Sequence, residues 1–320
     1  MKQGTLKENF LRWIFRRYFL WRLPDVAHIK DLADAIVRIG PDTPYYPILL
    51  DYAPTLESRY GEGKPPIAAL VDLFAASVPA ITTTLRALQN YRDELLRISE
   101  APPINSAGPY WANDWLTGFD AIALYGMLAL HSPAHYLEVG SGNSTKFARQ
   151  VIRDKHLATR IISIDPHPRA EIDSLCDVVI RSKLEEVDVS HFDVLEAGDI
   201  LFIDNSHRVF QGSDVTVFFL EVLPRLRPGV LVQIHDIFLP FDYPMIWRNR
   251  HYSEQYMLAS YLLAGGGKLD ILLPVPYAEN HPTLGKEIND FWTDSVFQRS
   301  FALNRGLTSY IGTSSWFVTT

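Results

Sequence analysis

Cysteine is nearly absent: Cys176 is the only one in 320 residues. A single thiol excludes an internal disulfide framework and any cysteine-built metal cluster. It fits a reducing, cytoplasmic setting, and beside Leu175 and Val178 it reads as a small buried apolar side chain. Positive charge is also in deficit. Thirty Lys and Arg face 37 Asp and Glu, a net charge of −7, which argues against a nucleic-acid partner because phosphates would be repelled overall. No uninterrupted apolar run approaches the roughly 18 residues of a membrane span. Disorder is excluded as well, since 47% hydrophobic and 21% charged residues make an ordinary globular composition. The length allows one large core and an accessory region.

The glycine pattern of residues 136–145, YLEVGSGNST, also lacks something. An apolar run ends in an acid and a glycine turn, followed by residues that open a helix. Glycines admit close backbone approach, and a helix N-terminus offers free N–H groups. A dinucleotide fingerprint would place a third small residue after Gly140 and Gly142; Thr145 stands there instead. Glu138, two residues before the turn, would repel a pyrophosphate but can receive a cationic amino group. The pattern therefore favours S-adenosylmethionine over NAD.

Residues 1–108 read as a helical N-terminal region, with apolar residues at helical spacing in 27–39, 66–88 and 91–98. Residues 7–22, KENFLRWIFRRYFLWR, mix six aromatics, Phe10, Trp13, Phe15 and Trp21 among them, with Arg12, Arg16, Arg17 and Arg22. The arginines interrupt any signal-peptide core. Such a helix suits an anionic membrane surface, but its apolar positions surround it. Packing on the catalytic domain or on a second subunit, as in a homo-oligomer, is the favoured reading, with the arginine heads reaching water. Pro102, Pro103 and Gly108 form a break, and 109–320 reads as a second domain.

In that domain seven short apolar runs alternate with helical stretches: 135–139, 160–165, 177–180, 199–204, 230–235, 269–273 and 316–319. Runs this short and apolar are strands buried on both faces. The fold class is α/β, a Rossmann-like, doubly wound, seven-stranded and mostly parallel sheet, with one of the last two strands a candidate for antiparallel pairing. Ligands of such sheets bind at the carboxyl ends of the strands. The polar residues collected there are Glu138 to Gly142, Asp165, Ser182, Asp204, His235 and Asp236. Asp165, about 20 residues after the glycine turn, is placed to accept two ribose hydroxyls. The cofactor side comprises Glu138, Gly140, Ser141, Gly142, Ser144, Thr145, Asp165, Ser182 and Asp204.

The acceptor side follows from GDILFIDNSH and QIHD. Asp204 and Asp236, at adjacent strand ends, suit a hard divalent cation such as Mg²⁺, with His235 as a further ligand or hydrogen-bond partner. A metal there would bind substrate oxygens and lower the pKa of a hydroxyl, and His207 would take its proton as general base. Weaker candidates are Tyr110, Trp111, Asn113 and Trp115, then Tyr243, Trp247 and Arg248. Glu254 reads as a helix-start carboxylate and Gly265–Gly267 as a helix C-cap.

With these motifs in hand, 109–320 resembles a class I S-adenosylmethionine-dependent methyltransferase, carried by YLEVGSGNST, IISIDP, GDILFIDNSH, LRPGVLVQIHDIF and SSWFV. It is similar to bacterial small-molecule methyltransferases grouped with the metal-dependent sugar O-methyltransferases of macrolide biosynthesis and the cephalosporin hydroxylase-like proteins. In those, an Asp-x-x-His follows the fourth strand and an acidic pair the fifth. Asp204 and His207 match the first; His235-Asp236 keeps one acid of the second. The resemblance implies methyl transfer to a hydroxyl of a small molecule, a sugar or a natural product. Two rivals remain open. An NAD-dependent oxidoreductase is disfavoured by Glu138, Thr145 and the Pro228-Gly229 turn. A cofactor-binding module without turnover is not excluded, because ligand motifs alone do not establish catalysis.

Overall fold

The seven apolar runs become seven strands, each within one residue of its expected bounds: β1 (His135–Val139), β2 (Arg160–Ile164), β3 (Val178–Ile180), β4 (Ile200–Ile203), β5 (Leu231–Ile234), β6 (Leu269–Pro274) and β7 (Ser315–Thr319). The computed structural model describes residues 55–104, 107–168, 170–265 and 268–320. The helices read from 7–22 and 27–39 lie outside the described residues.

The sheet order is β3-β2-β1-β4-β5-β7-β6. The first five strands run parallel. β7 is antiparallel to both β5 and β6, so it is the last strand in sequence that reverses and inserts between them. Strand order changes direction between β1 and β4. At such a point the connections leave to opposite faces and open a crevice at the carboxyl edge.

Among the helices of the described residues are α1 (Ala68–Ala76), α2 (Val78–Gln89), α3 (Gly118–His131), α4 (Asn143–Asp154), α5 (Glu254–Leu263) and α6 (Ser295–Thr308). The continuous helix expected over 66–88 is split at Ser77, with Pro79 in the first turn of α2. Proline has no N–H and is tolerated only at such a start. The stretch 91–98 retains one short turn, Arg92–Leu95. α3 is buried on every side from Gly118 to Leu128. Gly126 keeps it close to α2, because a Cβ there would meet Leu88 at 2.3 Å. α4 is amphipathic, burying Phe147, Ala148, Val151 and Ile152; each of the three larger side chains contributes about 1.5–3 kcal/mol. No single helix among the described residues is long and apolar enough to cross a membrane.

Candidate active site

β1 carries Glu138 into the interior, fully buried. A buried carboxylate is costly unless hydrogen-bonded, and three hydroxyls donate to it: Tyr136 at 3.1 Å, Ser144 at 2.9 Å and Thr145. Burial pushes its pKa up to about 7, against the pull of those hydroxyls. The sequence reading gave this carboxylate a ligand's cationic group. In the structure its partners are the chain's own hydroxyls, and they tie β1 to the first turn of α4. Thr145 Oγ1 also accepts from Gly142 N–H at 3.1 Å. Thus Ser144 and Thr145 brace the loop from behind.

In front of that brace, Gly140 has φ +81°, and a Cβ there would lie 1.8 Å from the carbonyl oxygen of Asp204. Only glycine lets the loop rest on the end of β4. Asp165, at the end of β2, accepts from Ser141 N–H at 2.7 Å, Ser141 Oγ at 3.2 Å and His167 N–H at 2.7 Å. The glycine turn and the second strand end are thereby locked together.

A cavity of about 300 Å³ opens here, lined by Gly140, Ser141, Asp165, Leu184, Glu185 and Asp204 among others. That size is in the usual range for a small ligand. Ser141 and Asp204 also line an adjoining crevice of about 30 Å³, with Trp115, Leu116, Gly142, Asn143, Ser144 and Phe202. Ser182 precedes the lining residues Lys183 to Glu185, and its hydroxyl lies 3.5 Å from Glu186. The structure therefore brings Gly140, Ser141, Asp165 and Asp204 to one cavity and keeps Glu138 and Thr145 behind it.

Asp204 joins this cavity to a buried polar cluster. His207 Nε2 lies 3.1 Å from Asp204 Oδ1 and 3.3 Å from Asp236 Oδ2, and Nδ1 lies 2.8 Å from Glu254 Oε2. His235 sits alongside, Nδ1 3.2 Å from Asp236 Oδ1 and Nε2 3.5 Å from Asp120 Oδ2. Asp204 has a side chain 29% exposed, against 4% for His207, so Asp204 is the member that meets the cavity. The sequence reading named Asp204, His235 and Asp236 as metal ligands. Donor atoms of Asp204, His207 and Asp236 lie within 4.8 Å of one another, whereas His235 Nδ1 is 3.8 Å from Asp204 and turned between Asp236 and Asp120.

Burial opposes charge on either imidazole. Hydrogen bonds from His207 to Asp204 and Glu254, and the charge of Asp236 beside His235, outweigh it, so both pKa values lie well above the ordinary imidazole value. Burial likewise opposes ionisation of Asp204 and Asp236. The hydrogen bond from His207 to the first and the positive charge of His235 beside the second hold both carboxyls below their usual range.

Residues 137–237 match the family model described as a methyltransferase domain. That stretch, from within β1 to just past β5, is similar to a methyltransferase domain. Similar solved structures include the plantazolicin methyltransferase BpumL in complex with a triazolic desmethylPZN analog and SAH, at 12% identity and TM-score 0.38 over 62% of this chain and 84% of that one. The SAH-bound Podospora anserina methyltransferase PaMTH1 has 14% identity and TM-score 0.35 over 68% and 95%. The O-methyltransferase from Bacillus cereus in complex with SAH has 12% identity and TM-score 0.33 over 79% and 100%. No curated protein matches the sequence.

Around this cavity, the weaker sequence candidates separate. Trp111 is buried edge-on against Phe147 and Phe297 and belongs to the core. Asn113 accepts from Trp115 and Leu116 N–H and from Asn143 Nδ2, which folds the preceding segment over the start of α4. Tyr243 packs against Tyr252, whose ring centroid lies 4.7 Å from that of His207. Trp247 donates to Leu307 O, and Arg248 is exposed. Gly265 has φ +76° just after α5, as a C-cap requires; Gly266 and Gly267 lie outside the described residues. Sequence reasoning missed Asp120 and Thr313. Asp120, in the first turn of α3, accepts from Thr313 and Ser314 N–H, and Thr313 Oγ1 donates to Asp236 at 3.2 Å. No local signal marks either, because the contacts join distant segments.

Proposed function

We propose that the domain transfers a methyl group from S-adenosylmethionine to a hydroxyl of a small molecule, a sugar or natural-product-like compound. The observation that carries this reading is Asp204. It lines the glycine-loop cavity and is also the exposed edge of the buried His207–Asp236–Glu254 cluster. One residue thus stands where a donor side and a proton-accepting side meet.

The donor supplies a methyl group on a sulfonium, which departs as a neutral thioether. On this reading Asp165 accepts the ribose hydroxyls, and Ile164 and Leu184 offer apolar contacts to the base. The Gly140–Ser141 backbone approaches the amino-acid end, with Glu138 holding the turn rigid from behind. Asp204 receives the hydrogen bond of the acceptor hydroxyl and aims its oxygen at the methyl carbon. As the C–O bond forms, the O–H bond breaks, and its proton passes to the Asp204–His207 pair. Alignment provides most of the acceleration in such a displacement, and the proton acceptor adds about 10²–10⁴-fold.

A specific observation favours a cation as well. Four carboxylates, Asp120, Asp204, Asp236 and Glu254, surround two imidazoles in this cluster. Excess buried negative charge of this kind is stabilised by a counter-cation. Oxygen and imidazole donors suit Mg²⁺ or Mn²⁺, which Asp204, His207 and Asp236 would hold and which would lower the pKa of a bound hydroxyl.

The test is transfer of an isotopically labelled methyl group from S-adenosylmethionine to a panel of sugars and phenols. His207→Ala is expected to retain donor binding and to lose about 100-fold or more in transfer. Full transfer by that variant excludes His207 as proton acceptor, and turnover untouched by a chelator excludes the cation.

A further inference from the structure

The buried partner of His207 is Glu254, the first residue of α5, whose carboxylate is inaccessible to solvent. A carboxylate in a first helical turn ordinarily meets the helix dipole from the surface; that role does not require burial. Both oxygens of Glu254 are committed. Oε2 lies 2.8 Å from His207 Nδ1, and Oε1 accepts from Asn205 Nδ2 at 3.0 Å. The backbone of α5 grips the same residue, since the N–H groups of Ser253 and Glu254 donate to His207 O at 2.8 and 3.1 Å. These are helix-start donors, which otherwise lack partners. His207 N–H donates to Asn205 Oδ1 at 2.8 Å. Together these bonds hold His207 at φ +58°, a left-handed conformation uncommon for a residue with a side chain.

We propose that Glu254 is a positioning residue for His207, fixing the orientation of its imidazole. This rests on the reading of His207 given above. Nδ1 faces Glu254 and Nε2 faces Asp204 and Asp236, so the ring links a fully buried carboxylate to the one that meets the cavity. A second partner that orients an imidazole is a recurrent device of such sites. The Tyr252 ring, 4.7 Å away, covers one side of the imidazole.

The clamp is testable without any acceptor, in the full chain carrying ¹⁵N-labelled histidine. Proton NMR is expected to show an Nδ1 proton downfield of the amides that is absent from His207→Ala and shifts upfield in Glu254→Gln, where charge assistance is lost. Asn205→Ala, which frees one carboxylate oxygen and leaves the pair in place, is expected to move the same resonance and carries the test if Glu254→Gln does not fold. In transfer assays Glu254→Gln should lower kcat about 10–100-fold with KM within about twofold, and add little to His207→Ala in the double variant. An unmoved resonance in the folded variants, or an unchanged kcat, overturns the proposal. Full transfer by His207→Ala would instead sink the base reading. The resonance is read independently of turnover, so the two failures are distinguishable.

Discussion

Glu138 shows how one side chain can look like a ligand contact and act as a brace. Its folded-state pKa of about 7 exceeds its ordinary 4.5, so between those values the folded chain holds a proton that the unfolded chain releases. The stability contributed is complete below about pH 4.5 and is lost as pH rises through 7, by up to about 3 kcal/mol. His207 and His235, also raised, lose their contribution in the same direction at higher pH; comparison with a variant isolates Glu138. Urea unfolding at pH 5 and pH 8 should show wild type losing about 1–3 kcal/mol more than Glu138→Gln over that interval. Equal losses would show that Glu138 is not the titrating brace. Asp165, Asp204 and Asp236 were legible in the sequence because polar residues ending apolar strands stand out. The Glu254–His207 pair was not: its partners lie 47 residues apart, and a carboxylate at a helix start has a simpler local explanation.

The glycine turn and the end of β4 are coupled as elements, through a contact that neither shows alone. Gly140 and Gly198 both have positive φ, but a Cβ on Gly140 would strike Asp204 O, while one on Gly198 meets nothing within 4 Å. Gly198→Ala is expected to cost only backbone strain, about 1–2 kcal/mol, and to leave donor binding intact. Gly140→Ala should cost more and displace the loop from Asp204, abolishing donor binding. Denaturant midpoints with parallel donor titrations would check this; similar costs and similar binding would contradict it. Strand positions were readable from apolar runs because burial on both faces leaves a continuous signal. Helix ends were less so. The break at Ser77 depends on Pro79, which periodicity does not report.

At the scale of the whole molecule, the parallel character of the sheet followed from alternating strands and helices, whereas the insertion of β7 between β5 and β6 did not. Strand order is set by long-range pairing, and two consecutive apolar runs carry no record of it. That order nevertheless decides the site, since it leaves the reversal between β1 and β4, with Gly140 on one side and Asp204 on the other. On the proposed function this crevice takes the methyl donor. Titration calorimetry of the full chain with S-adenosylmethionine, beside Asp165→Ala and with NADH as the competing nucleotide, tests it most directly. Saturable one-to-one binding of S-adenosylmethionine is expected, weakened roughly tenfold or more by Asp165→Ala, a loss of about 1.4 kcal/mol or more, with no binding of NADH. Binding of NADH with no binding of S-adenosylmethionine would contradict it.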